Sequence, residues 1–220
     1  MTLKRKQYGR ITLLDVEAAA PEFWDTSEAT HLRVLLPAAD ENRIAMTERG
    51  FVWVDRLLTV SISLKKQTVD FQKSIRLPIV LTDKRREEVR QIARKSFPFD
   101  RRFHIEPHLN DETARQVIDG WVDELENWFL CLYHDLPIGF LALTQTGPRT
   151  SFVHLAAVLQ EYRLSGAALS LYANAVSFVL ERDYQFLEGR ISTQNVPVMN
   201  LYVSLGAVFS RPTDVYLKQI

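Results

Sequence analysis

Three short apolar runs between residues 128 and 159 constrain the fold most. "WFLCLYH", "IGFLALTQ" and "SFVHLAAVL" are separated only by the turns "DLP" and "TGPR". Runs this short with tight turns predict three antiparallel strands in a meander. A long helix follows, Gly166 to about Leu180, with Leu169, Tyr172, Ala173, Val176, Val179 and Leu180 at helical spacing. "YQFLEGRI" is then a strand. A strand, a helix and a second strand make a right-handed parallel crossover. Few folds run an antiparallel meander straight into a parallel crossover.

The flanking segments extend the pattern. "SIRLPIVL" is a strand candidate that Pro78 places at an edge, and Asp83 is the expected cap of the helix "KRREEVRQIARKSF". "FPFDRRFHIEPHL" reads as a loop, and Asn110 and Asp111 open a second helix, "ETARQVIDGWVDELENW". Near Asn195 a short helix begins, with Pro197 in its first turn and Gly206 at its end, before the strands "AVFS" and "VYLKQI". From residue 75 the expected order is β-α-α-β-β-β-α-β-α-β-β. Before it, "RITLLDV", "HLRVLL", "FVWV" and "LLTVSISL" predict strands around a helix in "PAADENRIAMTERG" that stops at Gly50, while "LKRK" reads as a frayed tail. The expectation is therefore two units, residues 1–72 as a small α/β subdomain and 73–220 as an α/β (α+β) domain.

Composition removes several function classes. Lys plus Arg and Asp plus Glu both number 27, so no global field draws the chain to nucleic acid or anionic lipid. No apolar run spans a bilayer and none has the place of a signal peptide, and the lone Cys131 fits a reducing compartment, so a soluble cytoplasmic protein is expected. Cys131 lies in an apolar run and reads as a small core residue, not a nucleophile. His104 and His108 lack a third ligand, and Pro107 interrupts any helix between them, so no metal site is expected.

Between the third meander strand and the long helix stands "VLQEYRLSGAALSLY". Arg163-Leu164-Ser165-Gly166-Ala167-Ala168 follows the pattern Arg/Gln-x-x-Gly-x-Gly/Ala. About 30 residues on, Asn195, Val198, Leu201, Tyr202 and Gly206 repeat a second spacing. On these two motifs and the element order, residues 75–220 resemble the GNAT superfamily of N-acetyltransferases. Its fold is a mixed, mostly antiparallel central sheet flanked by helices. Residues 1–72 are expected to form a partial GNAT-like subdomain that carries no cofactor motif and either braces the catalytic half or contributes to a homodimer. Gln160 stands where the family usually has proline. Within the superfamily, "SFPFDRRFHIEPHL", "GWVDEL", "STQN" and "LGA" are similar to the TDP-fucosamine acetyltransferase group, which N-acetylates nucleotide-linked deoxyamino sugars for surface polysaccharides.

The resemblance implies acetyl-CoA as cosubstrate and an amine acceptor, with a nucleotide-linked amino sugar as the first expectation. Another small-molecule or protein amine, or a non-catalytic acyl-CoA-binding module, are the alternatives. Backbone amides of Leu164, Ser165, Gly166, Ala167 and Ala168, at a helix N-terminus, are expected to hold the pyrophosphate, with Arg163 adding charge. The pantetheine arm is expected along the strand near Val158, with Asn195 hydrogen-bonding it. An N–H near Val158 or Leu159 is the expected oxyanion donor. Tyr202 is the expected general acid, although its spacing also fits a core position. The base is open among His154, Glu188 and water, and His154 reads first as a structural histidine. Arg101, Arg102 and His104 fall in a loop where the family places acceptor contacts.

Overall fold

The computed structural model describes residues 2–8, 11–17, 26–66, 75–97 and 111–220. The strands are β1 (Thr2–Tyr8), β2 (Ile11–Glu17), β3 (His31–Pro37), β4 (Val52–Ser63), β5 (Ile79–Thr82), β6 (Trp128–Tyr133), β7 (Leu136–Gly147), β8 (Thr150–Val158), β9 (Phe186–Ser192) and β10 (Val208–Gln219). The α-helices are α1 (Asp40–Glu48), α2 (Arg86–Ser96), α3 (Asp111–Asp123), α4 (Ala167–Leu180) and α5 (Val196–Ser204). All ten strands join one sheet in the order β1-β2-β3-β10-β4-β9-β8-β7-β6-β5. Among the described strands only β2/β3 and β8/β9 pair in parallel. The meander and its parallel crossover are present, as is the mixed, mostly antiparallel sheet flanked by helices.

The sheet buries an apolar layer on each face. Leu155, Ala157, Val54, Leu57 and Val215 meet Val89, Ile92 and Ala93 of α2 and Val117, Ile118 and Val122 of α3. On the opposite face Val60, Ile62, Val153, Leu187 and Ile191 meet α4 and Tyr202 of α5. Met46 of α1 closes the N-terminal end of that same face against Val16, Val34 and Tyr216.

Several sequence expectations give way to tertiary pairing. "LKRK" is not a frayed tail: it lies in β1, paired antiparallel with β2 from Thr2↔Glu17 to Tyr8↔Ile11. Its charges suit an exposed sheet edge, and two of them are matched, Arg5 by Glu28 at 2.8 Å and Lys6 by Glu124 at 2.6 Å. The Tyr8 ring packs onto α3 where a Cβ on Gly120 would come within 2.3 Å of it. "FVWV" and "LLTVSISL" are parts of one strand, β4, and "AVFS" and "VYLKQI" are parts of β10, which carries a register shift between Ser210 and Thr213. Asp83 does not cap α2, whose first turn is preceded by Arg85 in the left-handed region and has no side-chain cap.

Strands from residues 1–66 and from residues 75–220 share the one sheet. β4 lies between β9 and β10, pairing Leu57↔Ser192 on one side and Thr59↔Ser210 on the other. Beside it, Arg56 Nε and Nη2 grip the two oxygens of buried Asp214 at 2.7 and 2.9 Å. Burial alone would push the Asp214 carboxyl up, but the Arg56 guanidinium and further hydrogen bonds outweigh that and hold it below the usual carboxylate range.

Removing Arg56 leaves a buried carboxylate without its cation. Arg56→Ala is expected to destabilise the fold by about 2–3 kcal/mol in urea unfolding at neutral pH. A depressed carboxylate stabilises the native state above its unfolded pKa and loses that effect as pH falls through its folded value. The gap between wild type and variant should therefore close on acidification.

Candidate active site

Pairing between β8 and β9 runs Thr150↔Phe186, Ser151↔Leu187, Phe152↔Glu188 and Val153↔Gly189, and there it stops. β8 continues to Val158 along β7, and β9 continues to Ser192 along β4. The two strands thus open into a fork with Val153 and Gly189 at its vertex. A β-bulge lies at the same place. Ala142 opposes Leu155 and Leu143 opposes Val153, so His154 is the extra residue. A bulge reverses which side chains face which core, and here Val153 packs toward α4 while Leu155 packs toward α2 and α3.

The bulge also decides which amides face the fork. Leu159 N–H donates to Ile138 O at 2.9 Å, so Leu159 is bonded to β7 and its amide is engaged. In an antiparallel ladder the alternate residue points the other way, so Val158 N–H is directed into the fork. Gly139 makes that packing possible, because a Cβ there would fall 2.9 Å from the Ala157 carbonyl and from Val158 Cγ2.

Beyond the fork the chain makes a 3-10 turn, Gln160–Tyr162, and enters α4. Gly166 precedes the helix with φ +83°, a conformation that favours glycine, so it supplies backbone freedom. Ser165 N–H is engaged by Tyr162 O at 3.1 Å, Arg163 N–H by Gln160 O at 3.3 Å, and Ala167 N–H by Ser165 Oγ at 3.3 Å. The amides of Leu164, Gly166, Ala168 and Leu169 meet no acceptor among the described residues. Unpaired amides at a helix N-terminus fit an anionic diphosphate. The Arg163 and Leu164 side chains are exposed.

One cation here escaped the sequence reading. Arg76 precedes the edge strand β5, its N–H donates to Ser170 Oγ of α4 at 3.0 Å, and its Cδ lies 3.8 Å from where a Gly166 Cβ would be. No local motif marks it, since it reaches the loop only through tertiary packing.

Tyr202 stands at the vertex on the α4/α5 face. A Cβ on Gly189 would come 2.7 Å from its hydroxyl, and its ring meets Tyr172 edge-on at 5.2 Å. With 1 % of its surface exposed, Tyr202 is part of the core, and burial first, then Tyr172, raises its pKa well above the ordinary value. Burial pushes Tyr172 up to about 12. The hydroxyl is thus protonated throughout the neutral range.

The opposite face of the vertex is polar. Glu188, Arg190 and Ser192 alternate on the side of β9 that shares a face with Leu57. Glu188 is held by Arg211 at 3.2 Å, Arg190 by Glu17 of β2, and Ser192 Oγ donates to Asp55 at 2.9 Å. His154 belongs to neither core. It is solvent-exposed, yet the protein around it desolvates the ring enough to lower its pKa from the ordinary value. Asn195 caps α5, its Oδ1 accepting from Val198 N–H at 3.3 Å. Cys131 is buried, which raises its thiol to about 11, as befits a core residue. Arg101, Arg102 and His104 lie outside the described residues. Among the described residues no three His, Cys, Asp or Glu side chains form a metal-holding group, and no helix is long and apolar enough to cross a membrane.

Comparison with known proteins agrees with this geometry. The model of the acetyltransferase (GNAT) family matches residues 86–207, more than half of the chain. No curated protein sequence matches it. Among solved structures, a conserved protein of unknown function from Staphylococcus epidermidis superposes with TM-score 0.67 at 14 % identity, covering 95 % of this chain and 84 % of that one. A GNAT-family protein from Novosphingobium aromaticivorans gives 0.60 at 18 % identity, covering 96 % and 83 %. A GCN5-related N-acetyltransferase from Sphaerobacter thermophilus gives 0.60 at 14 %, covering 86 % and 59 %. With a family model over its helix-flanked fork and the same fold in these structures, the chain belongs to the GNAT acetyltransferase family and is an acyltransferase.

Proposed function

We propose that this chain transfers the acetyl group of acetyl-CoA to the amine of a nucleotide-linked deoxyamino sugar of the TDP-4-amino-4,6-dideoxyhexose type. The observation that carries the acetyl-CoA part is the fork, with Val158 N–H directed into it and the unpaired amides of the α4 start beyond its open end. The acceptor rests on the sequence resemblance of the segments around "SFPFDRRFHIEPHL" and "STQN".

Acetyl-CoA supplies an activated acetyl group. In this reading the amides of Leu164, Gly166, Ala168 and Leu169 hold its pyrophosphate, with Arg76 and Arg163 contributing charge. Each charge-assisted hydrogen bond is worth about 1.5–3 kcal/mol. Val158 N–H donates toward the carbonyl oxygen, where negative charge develops. Leu159 takes no part through its amide, which Ile138 already engages. Tyr202 delivers a proton to the departing sulfur, drawing on a phenol that burial keeps protonated. The open lip of β8 receives the amides of the pantetheine arm. Asn195 orders the α5 start that carries Tyr202. Residues 1–72 act as a partial GNAT-like unit without a cradle of its own, bracing the fork through β4.

Three outcomes are expected. Millimolar acetyl-CoA raises the melting temperature of the wild-type protein. Gly166→Val, which forces a β-branched residue into the left-handed region and crowds the cradle, weakens that shift at least tenfold in half-maximal concentration. Tyr202→Phe keeps the acetyl-CoA shift but lowers kcat about 10²-fold or more in a CoA-release assay with the amino sugar nucleotide. Full turnover in Tyr202→Phe makes the tyrosine a packing residue only. Equal turnover of peptide or polyamine amines overturns the acceptor assignment.

A further inference from the structure

Tyr202 and α4 fill one face of the fork, so an acceptor reaches the vertex from the other face. That face is open there, because the apolar cluster shared with α2 and α3 takes in β8 from Leu155 onward. A row of residues crosses five strands just before that point: Thr144, Phe152, Glu188, Ser61 and Val208. None of the five is buried. Phe152 is half-buried yet packs into none of the apolar clusters of the described residues. Beside it stand two ion pairs, Glu188 with Arg211 at 3.2 Å and Arg190 with Glu17 of β2. The second pair reveals the shape of this face. β2 and β9 are four strand spacings apart in the sheet, roughly 19 Å if it were flat. An arginine and a glutamate side chain together do not reach that far. The sheet therefore curls toward this side, and the strip beside Arg190 lies in a concave groove walled by the end of β2.

We propose that this groove seats the sugar ring of the acceptor, with Phe152 as the platform for its apolar C–H face and Glu188, Arg190 and Arg211 as hydrogen-bond partners of its hydroxyls. Charge balance selects a neutral ring here. Glu17 and Glu188 cancel Arg190 and Arg211, and Asp55 is taken up by the Ser192 hydroxyl and the Arg56 amide. A phosphate would meet two carboxylates and no surplus cation, and a polyamine would find no surplus anion. Arg190 and Arg211 each spend one Nη2 on their carboxylate and keep further N–H donors. Neighbouring hydroxyls both donate and accept, so they fit alternating guanidinium and carboxylate groups. A phenyl ring adds contact area with little rotamer freedom to lose. Glu17 is a positioning residue: it holds Arg190 in the groove and touches no substrate atom. The inference rests on the amino-sugar reading above and names where that sugar binds.

The test separates the sugar from the nucleotide. Saturation-transfer NMR is run with a methyl 4-amino-4,6-dideoxyhexoside and with TDP alone, beside steady-state kinetics with the amino sugar nucleotide. The glycoside ring protons should be saturated by the wild type and not by Phe152→Leu. Acceptor KM should rise about tenfold in Phe152→Leu and in Glu17→Gln, while the KM and the thermal shift for acetyl-CoA stay at wild-type values. Phe152→Tyr and Glu17→Asp should regain most of the lost acceptor affinity. Phe152→Leu should melt close to the wild type, since the ring belongs to no core cluster. If the wild type turns over the amino sugar nucleotide and neither Phe152→Leu nor Glu17→Gln changes acceptor KM, this inference alone falls. Saturation of TDP alone that Phe152→Leu abolishes, with none of the glycoside, puts the nucleotide in the groove and overturns it. A dimer that Phe152→Leu dissociates at unchanged acceptor KM makes the face a subunit contact and also overturns it. If the wild type acetylates other amines and no amino sugar, the acceptor reading falls and this inference with it.

Discussion

Everything in the candidate site follows from the place where β8 and β9 stop sharing hydrogen bonds. Parting two strands inside a sheet exposes backbone donors and acceptors, which is costly unless each strand is held from its other side. Here β7 holds β8 through the bonds at Leu159 and its alternates, and β4 holds β9 as far as Ser192. The bulge at His154 reverses the faces of β8 at the vertex, so the strand leaves β9 without leaving the sheet. The open lip then presents Val158 N–H to any ligand that behaves as an added strand. A thioester arm built of amides is such a ligand.

The partner that keeps β9 in place comes from the N-terminal part of the chain. β4 fills the gap between β9 and β10, and Arg56 on it neutralises Asp214 of β10. The β1–β2 hairpin meanwhile reaches α3 through Tyr8 on Gly120 and Lys6 on Glu124, and β9 through Glu17 and Arg190. The first strands and the fork therefore form one mechanical unit in the sheet.

Much of this was legible in the sequence. The meander, the crossover helix and the Asn195–Tyr202 spacing are local patterns, and each appears where the periodicity placed it, with helix bounds shifted by a residue or two. Gly166 was legible as the turn before the crossover helix, but its positive φ was not, because a glycine is equally compatible with either sign. β1 was hidden since its charges look like a tail until β2 and Glu124 supply partners. Asp83 looked like a cap because Asp before a helical run usually is one, yet the chain enters α2 through Arg85. The bulge at His154 leaves no mark in the alternation of "SFVHLAAVL" without knowledge of the opposing strand. Arg76 beside Gly166 is a contact between segments ninety residues apart, and no spacing rule reports such a pair.

The position of β4 also sets an order on folding. It is made early, but both its neighbours, β9 and β10, lie more than a hundred residues further along the chain. Until they emerge, Val54, Leu57, Val60 and Ile62 have no covered sheet to join, and an apolar strand stands with both edges bare. Contacts of such sequence separation form slowly, since a long loop must close before any bond rewards it. The nascent chain therefore carries β4 with both edges bare until β9 emerges, and the strand that covers its second edge is the last one synthesised among those described.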